Sequence, residues 1–382
     1  MKRRGFIKVM AAGSAVALTP AVLSGCSSSD AQYKTVENEH QDIRLKLISH
    51  AMLAPNSHNI QPWLIKLKGN DAFELFVDQT RLLTYTDPPA RQIHISQGTF
   101  LETLNIAASG MGYRVKIDYF PRGQYSNQTI EEKPVAVVQL ISDPQVKTDP
   151  FYNLLKVRQS NKRSYEDKPV PESALKSIRE EMTQPGIVTS TSASSALRSK
   201  LAPIMEKGMA IEATDRARNK ETADLFRFNE AEAVKYRDGF TMANNGMTGF
   251  MRWMVETFFL GTREEAYAVD SAFAKEAVKM TYKQAKSATA YGWIISENNT
   301  RLDQLKSGHI YARINLLTAK LGLAQHPMSQ VLQEYEDMNE LQQEFLQLME
   351  VPKGSTVQML FRLGYADVNP HTKRRRVKNV VV

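Results

Sequence analysis

The sequence predicts an α+β protein built from two related halves, the second interrupted by a helical segment. Three observations predict it. Short strand-like runs lie between amphipathic helices over residues 40–140. A long helix near residue 100 has a counterpart 210 residues further on. The stretch 189–289 differs from both flanks in being rich in charge and helix formers.

Residues 40–54 read as a helix, with Ile43, Leu47, Ala51 and Ala54 at helical spacing, and Pro55 ends it because its ring cannot continue the ladder. Residues 63–67 and 73–77 read as strands, and Asp87-Pro88-Pro89 as a turn. Residues 93–112 form the long helix, striped by Leu101, Leu104, Ala108 and Met111, and residues 115–119 and 135–140 are further strands. A helix starts near Glu172, another spans about 301–322, and 357–363 is a strand. Shifting by 210 lays Gly98 on Gly308, Asn105 on Asn315 and Gly112 on Gly322, with Leu104 on Ile314 and Met111 on Leu321. Two unrelated core helices could also match this well, so both readings stay open here. The division that follows is 40–150 for the first half and 151–382 for the second, with about 189–289 as an inserted helical subdomain or lid. The cluster Met242, Met247, Phe250, Met251, Trp253 and Met254 in that insert reads as packing.

The net charge of +8 over 382 residues is concentrated at the two ends. Residues 1–25 carry +4 and the run Lys373 to Lys378 carries +5, which leaves −1 for everything between. That distribution excludes the broad basic face of a nucleic-acid binder. The lone cysteine, Cys26, excludes an internal disulfide and a cysteine-based metal cluster. The seven histidines are too scattered to suggest a metal site.

The amino terminus reads as an address. Lys2-Arg3-Arg4-Gly5-Phe6-Ile7-Lys8 precedes a short apolar run ending at Leu23, which is signal-peptide anatomy and too short for a confident membrane span. The arginine pair resembles a twin-arginine export signal. Leu23-Ser24-Gly25-Cys26 resembles a bacterial lipobox, which implies cleavage before Cys26 and lipidation of its sulfur. Residues 1–25 would then be removed, 26–39 would be a tether, and the mature protein would sit lipid-anchored at a periplasmic or other extracytoplasmic membrane face.

Three motifs carry the chemistry. Pro55-Asn56-Ser57-His58-Asn59-Ile60-Gln61-Pro62-Trp63 offers short polar groups between a helix and a strand; it suits the edge of a flat heteroaromatic ligand, and equally an elaborate turn. Arg158-Gln159-Ser160-Asn161-Lys162-Arg163 can hold a phosphate through charge-assisted hydrogen bonds, or be a solvated surface. Lys373-Arg374-Arg375-Arg376 is a basic tail that follows a strand.

Together these motifs resemble the nitroreductase family of FMN-binding flavoproteins, most nearly its exported single-chain branch, the Acg-like FMN-binding oxidoreductases. The resemblance covers about 40–170 and 290–382. It implies central antiparallel or mixed sheets flanked by helices, in an arrangement that ordinary members reach as dimers with flavin between the subunits. Here the first half has Asn59-x-Gln61-Pro62-Trp63 and the second has Arg158-x-Ser160-x-Lys162, so the chain resembles a dimer fused into a monomeric pseudo-dimer with one FMN per chain. The resemblance assigns Arg158, Lys162, Lys373 and Arg375 to the phosphate and ribityl end. It assigns Gln159 and Ser160 to the ribityl and ring edge, and Pro55, Ser57 and Asn59 to the ring. Met328, Ser329 and Gln330 occupy the place of the main-chain groups near the reactive edge. Asn56 departs from the family's usual serine, and Ser329-Gln330 from its frequent Glu-Gly.

The implied activity is two-electron reduction of a small planar acceptor, a quinone or nitroaromatic. Nicotinamide coenzymes are scarce outside the cytoplasm, so the expected donor is a quinol or a protein partner. A non-catalytic flavin-sequestering envelope lipoprotein is the alternative, and a purely structural lipoprotein a third.

Overall fold

The computed structural model describes residues 40–258 and 260–382. The signal-like segment 1–25, Cys26 and the tether 26–39 lie outside the described residues. The architecture is α+β: two four-stranded antiparallel sheets flanked by helices.

The first half opens with α1 (Ile43–Ala51), whose N-cap Asp42 accepts from Arg44 N at 2.9 Å. Strands β1 (Trp63–Lys68) and β2 (Ala72–Val77) form a tight hairpin. Helix α2 (Arg91–Gly110) follows, then β3 (Tyr113–Tyr119) and β4 (Ala136–Ser142). The sheet order is β1-β2-β4-β3. In the second half α3 (Glu172–Glu181) precedes β5 (Ile187–Ser192). Strand β6 (Ala290–Ser296), helix α10 (Arg301–Lys320), β7 (Ala324–Pro327) and β8 (Thr356–Gly364) complete it. Their order is β5-β6-β8-β7, the same pattern with the long helix again after the second strand.

Helices α2 and α10 cross at the two glycines that the 210-residue shift superposes. A Cβ on Gly98 would run into the Leu305 carbonyl oxygen, and one on Gly308 into the Ile95 carbonyl oxygen and to 2.9 Å from Gly98 Cα. Ile95 and Leu305 are themselves 210 residues apart, so the contact is reciprocal, as at a two-fold interface. Both helices are buried on nearly every face, and one core joins Trp63, Phe73 and Phe100 to Ile294, Ile314 and Phe361.

Where a short turn joins β1 to β2, the second half inserts helices α4 (Ser195–Thr214), α5 (Arg216–Leu225), α6 (Glu230–Tyr236), α7 (Gly249–Phe258), α8 (Arg263–Ala266) and α9 (Ala272–Ser287). The insertion begins after Ser192, because 189–192 are strand. An ion pair binds it to the first half, where Asp238 meets Arg81 at 2.8 Å, and Arg227 within the insertion holds the same carboxylate at 2.5 Å.

The carboxyl-terminal segment leaves β8 and returns to the first sheet. Ile65 N donates to Val380 O at 2.7 Å, and Val382 N to Ile65 O at 2.9 Å. These last residues lie spatially with the first half, because the open edge of β1 offers backbone groups that need partners. Dividing the chain at 150/151 misses that crossing.

Candidate functional site

One cavity of about 230 Å³ lies where the halves, the insertion and the returning tail converge. It is far larger than the ~30 Å³ share of one water, so its size suits a ligand. Pro55, Ser57 and Asn59 line it from the first half, and Arg158, Gln159, Ser160 and Lys162 from the second. Ser329 and Gln330 line it after β7.

Three of the expected residues are not on its wall. Met328 is buried in the second core and donates its N–H to Leu360 O at 2.8 Å, so strand pairing uses its backbone. Lys373 and Arg375 are replaced at the cavity by Arg374. Consecutive side chains of an extended segment alternate in direction, and the tail turns Arg374 inward. Arg375 instead reaches Asp78 at 3.2 Å and Gln61 O at 2.9 Å, and Lys373 faces Glu230 at 3.7 Å.

The Asn-rich loop is held by α2. Thr99 Oγ1 donates to Pro55 O at 2.6 Å, Trp63 Nε1 to Ser96 O at 3.2 Å, and Ser57 N to Ser96 Oγ at 3.3 Å. Asn56 Oδ1 accepts from Gln61 N at 2.9 Å. His58, Asn59 and Gln61 all have positive φ, of 47°, 56° and 53°. Such backbone costs on the order of 1–3 kcal/mol per residue and collects at ligand sites. Asn59 also lashes the site together: Nδ2 donates to Gly239 O and to Lys373 O, each at 3.0 Å, and Oδ1 accepts from Arg374. Its amide is therefore committed to the insertion and the tail, while the residue lines the cavity as well.

The cationic stretch is anchored from its own half. Arg158 Nη1 donates to Asn315 Oδ1 at 2.6 Å, and Gln159 Oε1 accepts from Asn369 N at 2.7 Å. Lys162 Nζ sits 4.3 Å above the Phe240 ring, with no carboxylate partner among the described residues. Burial, reinforced by Arg362, lowers its pKa to about 8. Burial and the charge of Lys162 lower His58 to about 4, and burial with Arg362 and Lys162 puts His326 well below its ordinary range. Lys156, Arg158, Lys162 and Arg374 thus share the cavity wall with one acid among the described residues, Glu212, whose pKa burial raises to about 7. The wall selects an anion. Gln92 Nε2, buried on the α2 side of the cavity, has no hydrogen-bond partner among the described residues and awaits an acceptor.

Gln92, Glu212 and Phe240 escaped the sequence reading, and Arg374, named within the basic tail, was passed over for its neighbours. Gln92 lies just before the helix read from residue 93, Glu212 and Phe240 lie in the insertion, and nothing local marks them. Among the described residues no His/Cys/Asp/Glu group could hold a metal ion.

No family model matches the chain. Over 342 residues it is 22% identical to a Mycobacterium tuberculosis protein named "Putative NAD(P)H nitroreductase", covering 88% of this chain and 90% of that relative. A 90-residue stretch is 34% identical to an uncharacterized protein of the same organism, covering 22% of this chain and 26% of that one. Among solved structures, a nitroreductase with bound FMN from Bacteroides fragilis aligns at TM-score 0.36 and 13% identity, over 60% of this chain and 94% of that one. The FMN-dependent nitroreductase NfnB from Mycobacterium smegmatis, in complex with NADPH, aligns at TM-score 0.34 and 16% identity, over 56% and 86%.

Proposed function

We propose that this chain is an FMN-dependent oxidoreductase of the nitroreductase type, a fused pseudo-dimer that reduces a small planar acceptor such as a quinone or nitroaromatic. The observation that carries the reading is the meeting of the Asn-rich loop and the Arg158–Lys162 stretch in one cationic cavity. The full-length likeness to a relative named as a nitroreductase supports it.

The residues present fit a flavin mononucleotide. Arg158, Lys162 and Arg374 offer charge to a phosphate monoester, and Ser160 and Gln92 offer hydrogen bonds to polyol or ring-edge oxygens. FMN, when bound, would supply two-electron transfer. The protein's part is to orient it with the strained loop at one side and Ser329-Gln330 at another. Phe240 and Asn244 of the insertion exclude water, and the cationic wall favours negative charge on the ligand.

Among the described residues the two halves leave room for one such site. In the first half residues 52–62 separate α1 from β1, room for the ligand loop. In the second half residues 182–186 separate α3 from β5, a simple turn.

Export with a lipid on Cys26 is part of the same proposal and rests on the amino-terminal sequence. It favours a quinol or protein donor over a soluble nicotinamide. The purified full chain should be yellow, release FMN on denaturation, and turn over quinones or nitroaromatics once reduced. Protein that stays colourless with added FMN would refute the reading; flavin bound without turnover would leave the sequestering alternative, which the roof formed by the insertion favours.

A further inference from the structure

The insertion brings an acid into an otherwise cationic site. Glu212 is 3% exposed yet lines the cavity. It lies one turn after Gly208, on the same face of α4. Gly208 packs against the segment after β7, where an added Cβ would lie 3.3 Å from Val331 N. That contact fixes Glu212 beside Gln330 and Gln333, which also line the cavity.

Among the described residues no cation neutralises Glu212 by direct pairing. Arg218 on α5 turns to Asp337 at 2.8 Å and lies 3.7 Å over the Tyr335 ring. Glu221 on the same helix spends its carboxylate on Thr86 N, at 2.8 Å, and Thr86 Oγ1, at 2.6 Å. In the loop before α2, Asp87 accepts from Ile93 N at 3.0 Å, while Arg91 pairs with Glu334 at 3.1 Å. Tyr335 donates to Thr86 O at 2.9 Å. Among the described residues the one direct partner of Glu212 is the Thr222 hydroxyl, which donates to Oε1 at 3.3 Å, while the residue lines the cavity.

We propose that Glu212 is the proton donor of the reaction, giving its carboxyl proton to the acceptor oxygen when the acceptor takes up hydride from the reduced flavin. This rests on the flavin reading above. The carboxyl O–H bond breaks and an O–H bond forms on the acceptor. With reduced flavin bound, its hydride would bring both electrons and Glu212 the proton, so that a quinone acceptor would leave as its hydroquinone, and the carboxylate left behind would be reprotonated from water after the product departs. Burial places the group near half-protonation at neutral pH, where a general acid works best. Helices of the insertion supply it, so the insertion is a working part of the site as well as a cover.

The test uses the full chain with Glu212→Gln and Glu212→Asp. Flavin-loaded protein is reduced with dithionite and mixed with a benzoquinone from pH 5 to 9, and reoxidation is followed by absorbance. Wild-type rates should fall as pH rises through about 7. E212Q should be slower by about 10²-fold and lack that inflection, and E212D should recover part of the rate and the inflection. Infrared difference spectra of the flavin-free chain should show a carboxyl that titrates near pH 7 and is missing in E212Q. E212Q that holds flavin and keeps the wild-type rate and pH profile would overturn the assignment while sparing the flavin reading. A wild-type chain that holds no flavin would defeat both, whatever the infrared titration gave.

Discussion

Lys162 and Glu212 give the cavity opposite responses to pH. The folded state lowers the pKa of Lys162 from 10.5 to about 8, so between those values the folded chain binds fewer protons than the unfolded one. That contribution to stability rises with pH across this window. Ligand binding should move the other way: flavin retention should weaken above pH 8 as the cation is lost, and dialysis at pH 7 and pH 9.5 will read it. Lys162→Met should weaken FMN affinity by about 10–100-fold at neutral pH, the loss of one charge-assisted contact of roughly 1.5–3 kcal/mol. Glu212 has its folded pKa raised from 4.5 to about 7. Its folded-state proton stabilises fully below 4.5, and the benefit is lost as pH rises through 7. Glu212→Gln should therefore raise the melting temperature at pH 8 relative to wild type and leave it unchanged at pH 4. At this scale, contiguous motifs were legible and side-chain direction was not. The Pro55–Trp63 loop and the Arg158–Lys162 stretch announce themselves by composition. Choosing Arg374 over its neighbours needs the phase of an extended segment fixed by Asn59, 315 positions away in sequence from that arginine.

Among the elements, the crossing of α2 and α10 is the most constrained contact. Its glycines were visible as a shifted repeat because backbone-to-backbone packing admits no other residue. Gly98→Ala should push the helices apart and cost about 1–3 kcal/mol, read from denaturant midpoints, and Gly308→Ala should behave alike because the contact is reciprocal. Equal stability of both variants and wild type would contradict the packing described. Asn59→Ala removes the tie between loop, insertion and tail. It should destabilise by about 1–3 kcal/mol by stranding buried partners, and speed proteolysis of the carboxyl-terminal segment. The start of the insertion is legible only to within a few residues, for a local reason. Strand β5 reads Ile-Val-Thr-Ser-Thr-Ser, and its polar end resembles a loop until Ser192 is seen opposite Tyr291 of β6.

As a whole molecule, the chain puts two similar sheets around one shared core and returns its carboxyl terminus to the opposite half. The repeat was readable from helix spacing, whereas the return of the tail was not, since nothing in Val380-Val381-Val382 names the strand it pairs with. The unequal connectors, 52–62 against 182–186, reduce two potential ligand sites to one. The central claim is that the Asn-rich loop and the cationic stretch clasp a single flavin. Its most direct test is the cofactor stoichiometry of purified full-length protein, from the visible spectrum, protein concentration and identification of the released compound. One FMN per chain is expected, lost in Arg158→Ala/Lys162→Ala while the circular dichroism of the fold is retained; colourless protein that takes up no FMN, or two flavins per chain, would contradict the clasp.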